Sequence, residues 1–179
     1  MRNVASYSTL TYSVIDMLTY ERANELFHYD RSSGKLIRKV TTDYKAVQGT
    51  EAGTYSGGYK LVCIDKVKYK AHRVCMLLAY GYFPKGVQVD HINHNRSDNR
   101  LSNMRFVTDR ENAKNHSMNK NNISGVTGVH FDKSRGKFMS YIKVNYKRIH
   151  LGRFDSIEEA IAVRQQAEKD FGFHPNHGK

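Results

Sequence analysis

The chain has 179 residues, with 29 Lys+Arg against 17 Asp+Glu and a formal net charge of +12. That length allows one or two small domains, and 39% hydrophobic residues allow modest cores. The charge favours an anionic partner such as a phosphate backbone. Two cysteines are too few for a disulfide framework or a four-ligand zinc site, and no long apolar run suggests a membrane span.

Residues 1–20 are interrupted by Ser, Thr and Tyr, so no signal peptide is expected there and a reducing cytoplasm fits best. The first third reads as a β-rich leader. Residues 27–30 and 35–38 flank Ser32-Ser33-Gly34 as a hairpin, and residues 58–64 meet 67–70 across Asp65-Lys66. These Tyr- and Lys-bearing strands either touch nucleic acid or are ordinary amphipathic strands. Residues 74–80 read as a buried helix capped by Gly81, opened by a structural His72. Cys63 and Cys75 both sit among apolar neighbours and are expected to be buried free thiols.

The next stretch carries the chemistry. Residues 89–92 form a short strand, 93–100 are rich in turn formers, and 104–107 suit a second strand. Thr108 stands three residues before Glu111, a capping box that starts a helix and carries Asn112 on its first turns. Asp90-His91, Asn103 and Asn112 thus bring a base, a hard oxygen ligand and two amides into one short strand-loop-helix. Histidine, with an ordinary pKa of about 6.5, is matched to deprotonating water near neutrality. An Asp carboxylate and an Asn carbonyl oxygen are hard ligands that favour Mg2+ or Mn2+ over zinc.

These residues resemble the HNH endonucleases with a ββα-metal core, in the variant whose last position is Asn. His91 precedes Asn103 by twelve residues and Asn112 by twenty-one, as in phage homing endonucleases of this type. Ala71-His72-Arg73-Val74 and Asp98-Asn99-Arg100 also match the phage pattern, whereas His94 stands where members of the family often have Gly. The resemblance implies His91 as general base, Asp90 and Asn112 as ligands of one divalent metal, and Asn103 as the residue that braces the loop and orients His91. It implies hydrolysis to 5′-phosphate and 3′-hydroxyl ends. With one site per chain, nicking is the natural outcome for a monomer.

Residues 114–124 have almost no apolar content and read as a basic linker, either lying along a backbone or acting as a tether. Beyond it, residues 128–131, 137–144 and 148–154 read as three strands. Ser156 and Glu159 open a helix with Ala160, Val163, Ala167 and Phe171 at core-facing spacing. In the middle strand Phe138, Ser140, Ile142 and Val144 share one face, and Lys137, Met139, Tyr141 and Lys143 the other. Residues 113–153 hold nine Lys/Arg and one Asp, and residues 154–179 three Lys/Arg and five Asp/Glu, so the sheet carries the phosphate-attracting charge.

Residues 121–173 resemble the plant ethylene-response-factor type of DNA-binding domain, through Gly128-Val129, Gly136-Lys137-Phe138, Leu151-Gly152-Arg153-Phe154 and Glu158-Glu159-Ala160. The resemblance implies a sheet that enters the major groove, with His130, Arg135, Tyr141, Lys143, Arg148 and His150 facing DNA. Arg135 and His150 stand where plant members have Trp, Tyr141 where they have Glu and His130 where they have Arg, so the plant sequence preference does not carry over.

The sequence therefore predicts an α+β chain: a β-rich leader and HNH core over residues 1–113, a linker over 114–124, and a three-stranded antiparallel sheet packed on one helix over 125–179. The expected partner is double-stranded DNA, with no membrane and no small-molecule cofactor. Two other classes stay open. One is a DNA-binding regulator with an inactive HNH core. The other is an RNase or structure-specific nuclease; major-groove readout by a sheet is unavailable in A-form RNA, which favours duplex DNA.

Overall fold

The computed structural model describes residues 18–179. The reading of residues 1–17 as free of a signal peptide lies outside the described residues. The chain is α+β with several small antiparallel sheets, as expected, and it divides into two compact units. The first holds residues up to 85 together with 96–104, and the second holds 86–95 and 105–179. Residues 86–95 and 105–113 thus fall with the C-terminal sheet and helix, a different division from the one at residue 113 read from the sequence.

In the first unit, Thr19 caps helix α1 (Tyr20–Leu26) by accepting from the Arg22 amide. Strands β1 (Phe27–Asp30) and β2 (Lys35–Arg38) pair antiparallel from Phe27↔Arg38. Asp30 closes their turn by accepting from the hydroxyls of Ser33 and Ser32, which hold its carboxyl well below the usual range. Gly34 is required there, because a Cβ would come within 2.6 Å of the Arg100 amide nitrogen.

Strands β3 (Thr54–Ser56), β4 (Tyr59–Ile64) and β5 (Val67–Lys70) form a second sheet. Asp65 and Lys66 turn β4 into β5 with φ of 49° and 67°, the positive pair that a two-residue hairpin loop demands. Helix α2 (Ala71–Tyr80) ends on Gly81 at φ 80° and buries Val74, Cys75, Met76 and Leu77. His72 is buried as well, its ring 5.3 Å from that of Tyr59.

One expectation fails here: Cys63 is exposed, and Cys75 alone is buried. The cause is strand alternation, since Val62 and Ile64 on either side both face the core of β4. Residues 96–104 complete this unit. Their 3-10 turn, Leu101–Asn103, is pinned by the Leu101 amide donating to Arg31 O, and the buried Tyr29 hydroxyl donates to Asn99 O at 2.7 Å.

The second unit holds strand β6 (Gln88–His91), its partner β7 (Met104–Val107, from Arg105 onward) and helix α3 (Asp109–Ala113). Both hydrogen bonds of the Thr108–Glu111 capping box are present. Strands β8 (Val129–Asp132), β9 (Lys137–Val144) and β10 (Lys147–Phe154) form a sheet of order β10-β9-β8, with helix α4 (Ile157–Asp170) against it.

The core of this part is Val129, Ser140, Ile142, Ala160 and Ala167. Val163 is only half-buried and Phe171 is 37% exposed, contrary to the spacing argument. The helix ends at Asp170, so Phe171 is its cap, and the inward stripe runs through Arg164, which is 2% exposed. A periodicity argument built on apolar residues passes over an arginine in a core position. Among the described residues no helix is long and apolar enough to cross a membrane.

Candidate functional site

Strand β6 ends in Asp90 and His91, 7% and 6% exposed. A buried carboxylate must be compensated, and two neighbours do so. Arg105 on β7 donates from Nε to Asp90 Oδ2 at 3.0 Å, with Nη2 2.9 Å from the same oxygen. Asn115, itself 3% exposed, donates from Nδ2 to Asp90 Oδ2 at 3.0 Å and to Oδ1 at 3.2 Å.

The Asn115 amide is oriented in turn by His94, whose Nε2 lies 3.1 Å from Asn115 Oδ1 and whose Nδ1 lies 3.2 Å from Lys179 O. His94 adopts φ 62°, the left-handed region that glycine fills without strain. This conformation gives a physical reason for glycine at that place in related loops.

Asn112 reaches the same strand from α3. Its Nδ2 donates to Gln88 Oε1 at 2.7 Å, while Gln88 Nε2 donates to Asp109 Oδ1 at 2.7 Å. Gln88 and Asp90 are alternate residues of β6 and share one face. The Asn112 amide is therefore tied to the face that carries the Asp90 carboxylate, and that bond leaves its Oδ1 for another partner.

Asp90 and Asn112 thus offer hard oxygens that suit a magnesium-like ion, which takes one or two carboxylates and completes its shell from water and phosphate. Among the described residues no three His, Cys, Asp or Glu cluster as a metal site, so such an ion would depend on the amide.

The second unit therefore ties Asn112, through Gln88, to the strand that ends in Asp90 and His91. Asn103 belongs to the first, where its Nδ2 donates to Asp98 O at 2.8 Å and closes the turn 98–103. Arg105 and Asn115 were not picked out from the sequence. The alternation of a two-stranded sheet offered a signal for Arg105, whereas Asn115 lay in a segment read as linker.

In the C-terminal sheet, the pairs Arg148↔Lys143, His150↔Tyr141 and His130↔Met139 put His130, Tyr141, Lys143, Arg148 and His150 on one face. The Arg148 guanidinium stacks 4.2 Å from the Tyr141 ring centre, and the His130 and Tyr141 rings are 6.0 Å apart. Arg135 lies in the β8–β9 turn, 3.2 Å from Asp132.

Residues 69–114 match the family model described as HNH endonuclease. Protein 3.8 of Escherichia phage T7 is 31% identical over 80 residues, which make up 45% of this chain and 66% of the phage protein. The solved structure of the HNH homing endonuclease I-HmuI, described for its DNA binding and cleavage, aligns over 49% of this chain and 52% of its own, at 20% identity and a TM-score of 0.36. The chain thus spans only part of each relative. Asp90, His91, Asn103 and Asn112 all fall within residues 69–114, the segment that is similar to HNH endonucleases.

Proposed function

We propose that the protein is a metal-dependent, site-directed DNA endonuclease of the phage homing type. The observation that carries this reading is the buried Asp90-His91 end of β6, with Asn112 tied to the Asp90 face through Gln88, inside the segment that is similar to HNH endonucleases. His91 takes the proton from the attacking water, a role to which an imidazole is suited. Asp90 and Asn112 hold a Mg2+ or Mn2+ ion, which when bound supplies positive charge against the scissile phosphate and the departing 3′ oxygen. Arg105 and Asn115 orient the Asp90 carboxylate. Asn103 braces the loop 98–103 and, as the resemblance implies, the orientation of His91.

The products carry 5′-phosphate and 3′-hydroxyl ends, and a monomer nicks. Residues 1–113 bear the cleavage chemistry, 114–124 form a basic connection, and 125–179 present His130, Arg135, Tyr141, Lys143, Arg148 and His150 to duplex DNA. Incubation of supercoiled plasmid with Mg2+, with Mn2+ and with excess chelator tests the reading: relaxed circles should form only with the ions. A second reading, a DNA-binding regulator with an inactive core, draws on the Arg105–Asp90 pair, which already compensates the proposed ligand. It requires binding without relaxation under every ionic condition.

A further inference from the structure

The second unit contains a cleft of about 520 Å³ that the catalytic reading does not use. Arg110 and Lys114 form one wall, and Lys143 and Arg148 from the β9–β10 hairpin form the other. Arg164 lies at its floor, 2% exposed, and no Asp or Glu is among its lining residues.

Arg164 is unusual for a buried cation. Its Nε donates to Thr127 O at 2.8 Å, but Nη1 is buried without a hydrogen bond and has only the ion pair to Glu168 Oε1 at 3.1 Å, behind the cleft. Glu168 supplies its counter-charge, whereas Arg110, Lys143 and Arg148 line the cleft with no carboxylate beside them in that lining. Gly128, at φ 85°, permits the close approach of Tyr141 O and Arg164 Nε, since a Cβ there would come within 2.3 Å of the first and 2.7 Å of the second. The lining gathers guanidinium and ammonium groups without a carboxylate, a donor set matched to phosphate oxygens. The volume exceeds that of a lone phosphate, and Tyr141, Tyr146 and Phe173 supply apolar surface for an attached sugar.

We infer that this cleft grips a backbone phosphate of bound DNA. The inference rests on the proposal that the protein binds DNA, and it adds a place. The α3 wall belongs to the helix that carries Asn112, so a strand seated in the cleft runs along the same helix as the proposed ligand. It also changes the role of two residues: Lys143 and Arg148 hold phosphate here and do not read bases.

The test uses the full chain and fluorescence anisotropy with two labelled duplexes of unrelated sequence over a salt series in chelator. Arg110 and Lys143 are exposed, so Arg110→Ala and Lys143→Ala spare the core, and Lys169→Ala, an exposed cation on α4 outside the cleft lining, is the control. Arg110→Ala and Lys143→Ala should each weaken binding to both duplexes by the same factor and reduce the slope of log affinity against log salt by about one, while Lys169→Ala keeps the slope.

Wild-type binding by Arg110→Ala, or loss by Lys143→Ala on one duplex only, overturns the assignment. Inorganic phosphate is then titrated against the complex beside sodium chloride of equal ionic strength. Equal displacement supports a backbone phosphate, whereas saturation by phosphate alone assigns the cleft to a free anion and overturns it. Duplex binding without plasmid relaxation would remove the nuclease reading and leave the cleft standing. Failure of the wild type to bind either duplex would remove both.

Discussion

Arg105 Nε lies 3.0 Å from Asp90 Oδ2, a bond made inside the protein by the carboxylate that the HNH reading assigns to a metal. Arg105→Leu would leave a buried carboxylate with the Asn115 amide as its remaining hydrogen-bond donor. Unfolding free energy should fall by about 1–3 kcal/mol, the cost of stranding a buried charged acceptor. Urea denaturation measures it, and added Mg2+ should recover part of the loss by binding the folded form. An unchanged midpoint in the variant would show that the pair does not stabilise the fold.

Residues 171–179 return to the candidate site. Asn176 Nδ2 donates to Ile92 O at 2.9 Å, Lys114 Nζ to Phe171 O at 2.6 Å, and the Gly178 amide to His116 O at 2.8 Å. Deleting these nine residues should free residues 114–118 and speed tryptic cleavage after Lys114 relative to the full chain. Equal cleavage rates would mean that these bonds do not hold the segment.

Burial pushes the Cys75 thiol well up, while Cys63 points outward from β4. Iodoacetamide should modify Cys63 in the native protein and reach Cys75 only after unfolding. Native labelling of Cys75, read by peptide mass, would place that helix face outside the core.

His177 is held down at about 4, first by burial and then by the Arg164 guanidinium. Its folded pKa lies below the unfolded value of about 6.5, so the unfolded chain binds more protons between those two pH values. The stability it contributes is complete above about pH 6.5, falls as pH drops toward 4, and changes no further below that. His177→Phe, which keeps a ring beside Phe173, should flatten the pH dependence of the urea midpoint between these limits. The same slope in the variant would assign that dependence to other groups.

Much of the local structure was legible because it is written in short-range chemistry. Thr108 with Glu111, Asp65-Lys66 and Gly81 each dictate a cap or turn within a few residues. The alternation of β9 likewise separates Ser140 and Ile142 from Tyr141 and Lys143. What was not legible depended on distant partners. Asn115 looks like linker in sequence and becomes buried only because Asp90 and His94 need its amide. Arg164 takes a core position that apolar periodicity assigns to its neighbours, and Cys63 was misread because apolar flanks on an alternating strand mean the reverse of burial for the residue between them. His94 was noticed as a departure, yet its φ of 62° is a property of the folded turn.

The central claim is that His91 moves a proton during metal-dependent phosphodiester hydrolysis, and His91→Ala assayed on supercoiled plasmid tests it most directly. In Mg2+ the wild type should relax the plasmid, and His91→Ala should do so about 10²- to 10⁴-fold more slowly. Duplex affinity by anisotropy should stay near that of the wild type, because an imidazole that shuttles a proton does not anchor DNA. Relaxation by His91→Ala at the wild-type rate, or full wild-type activity in excess chelator, would contradict the account.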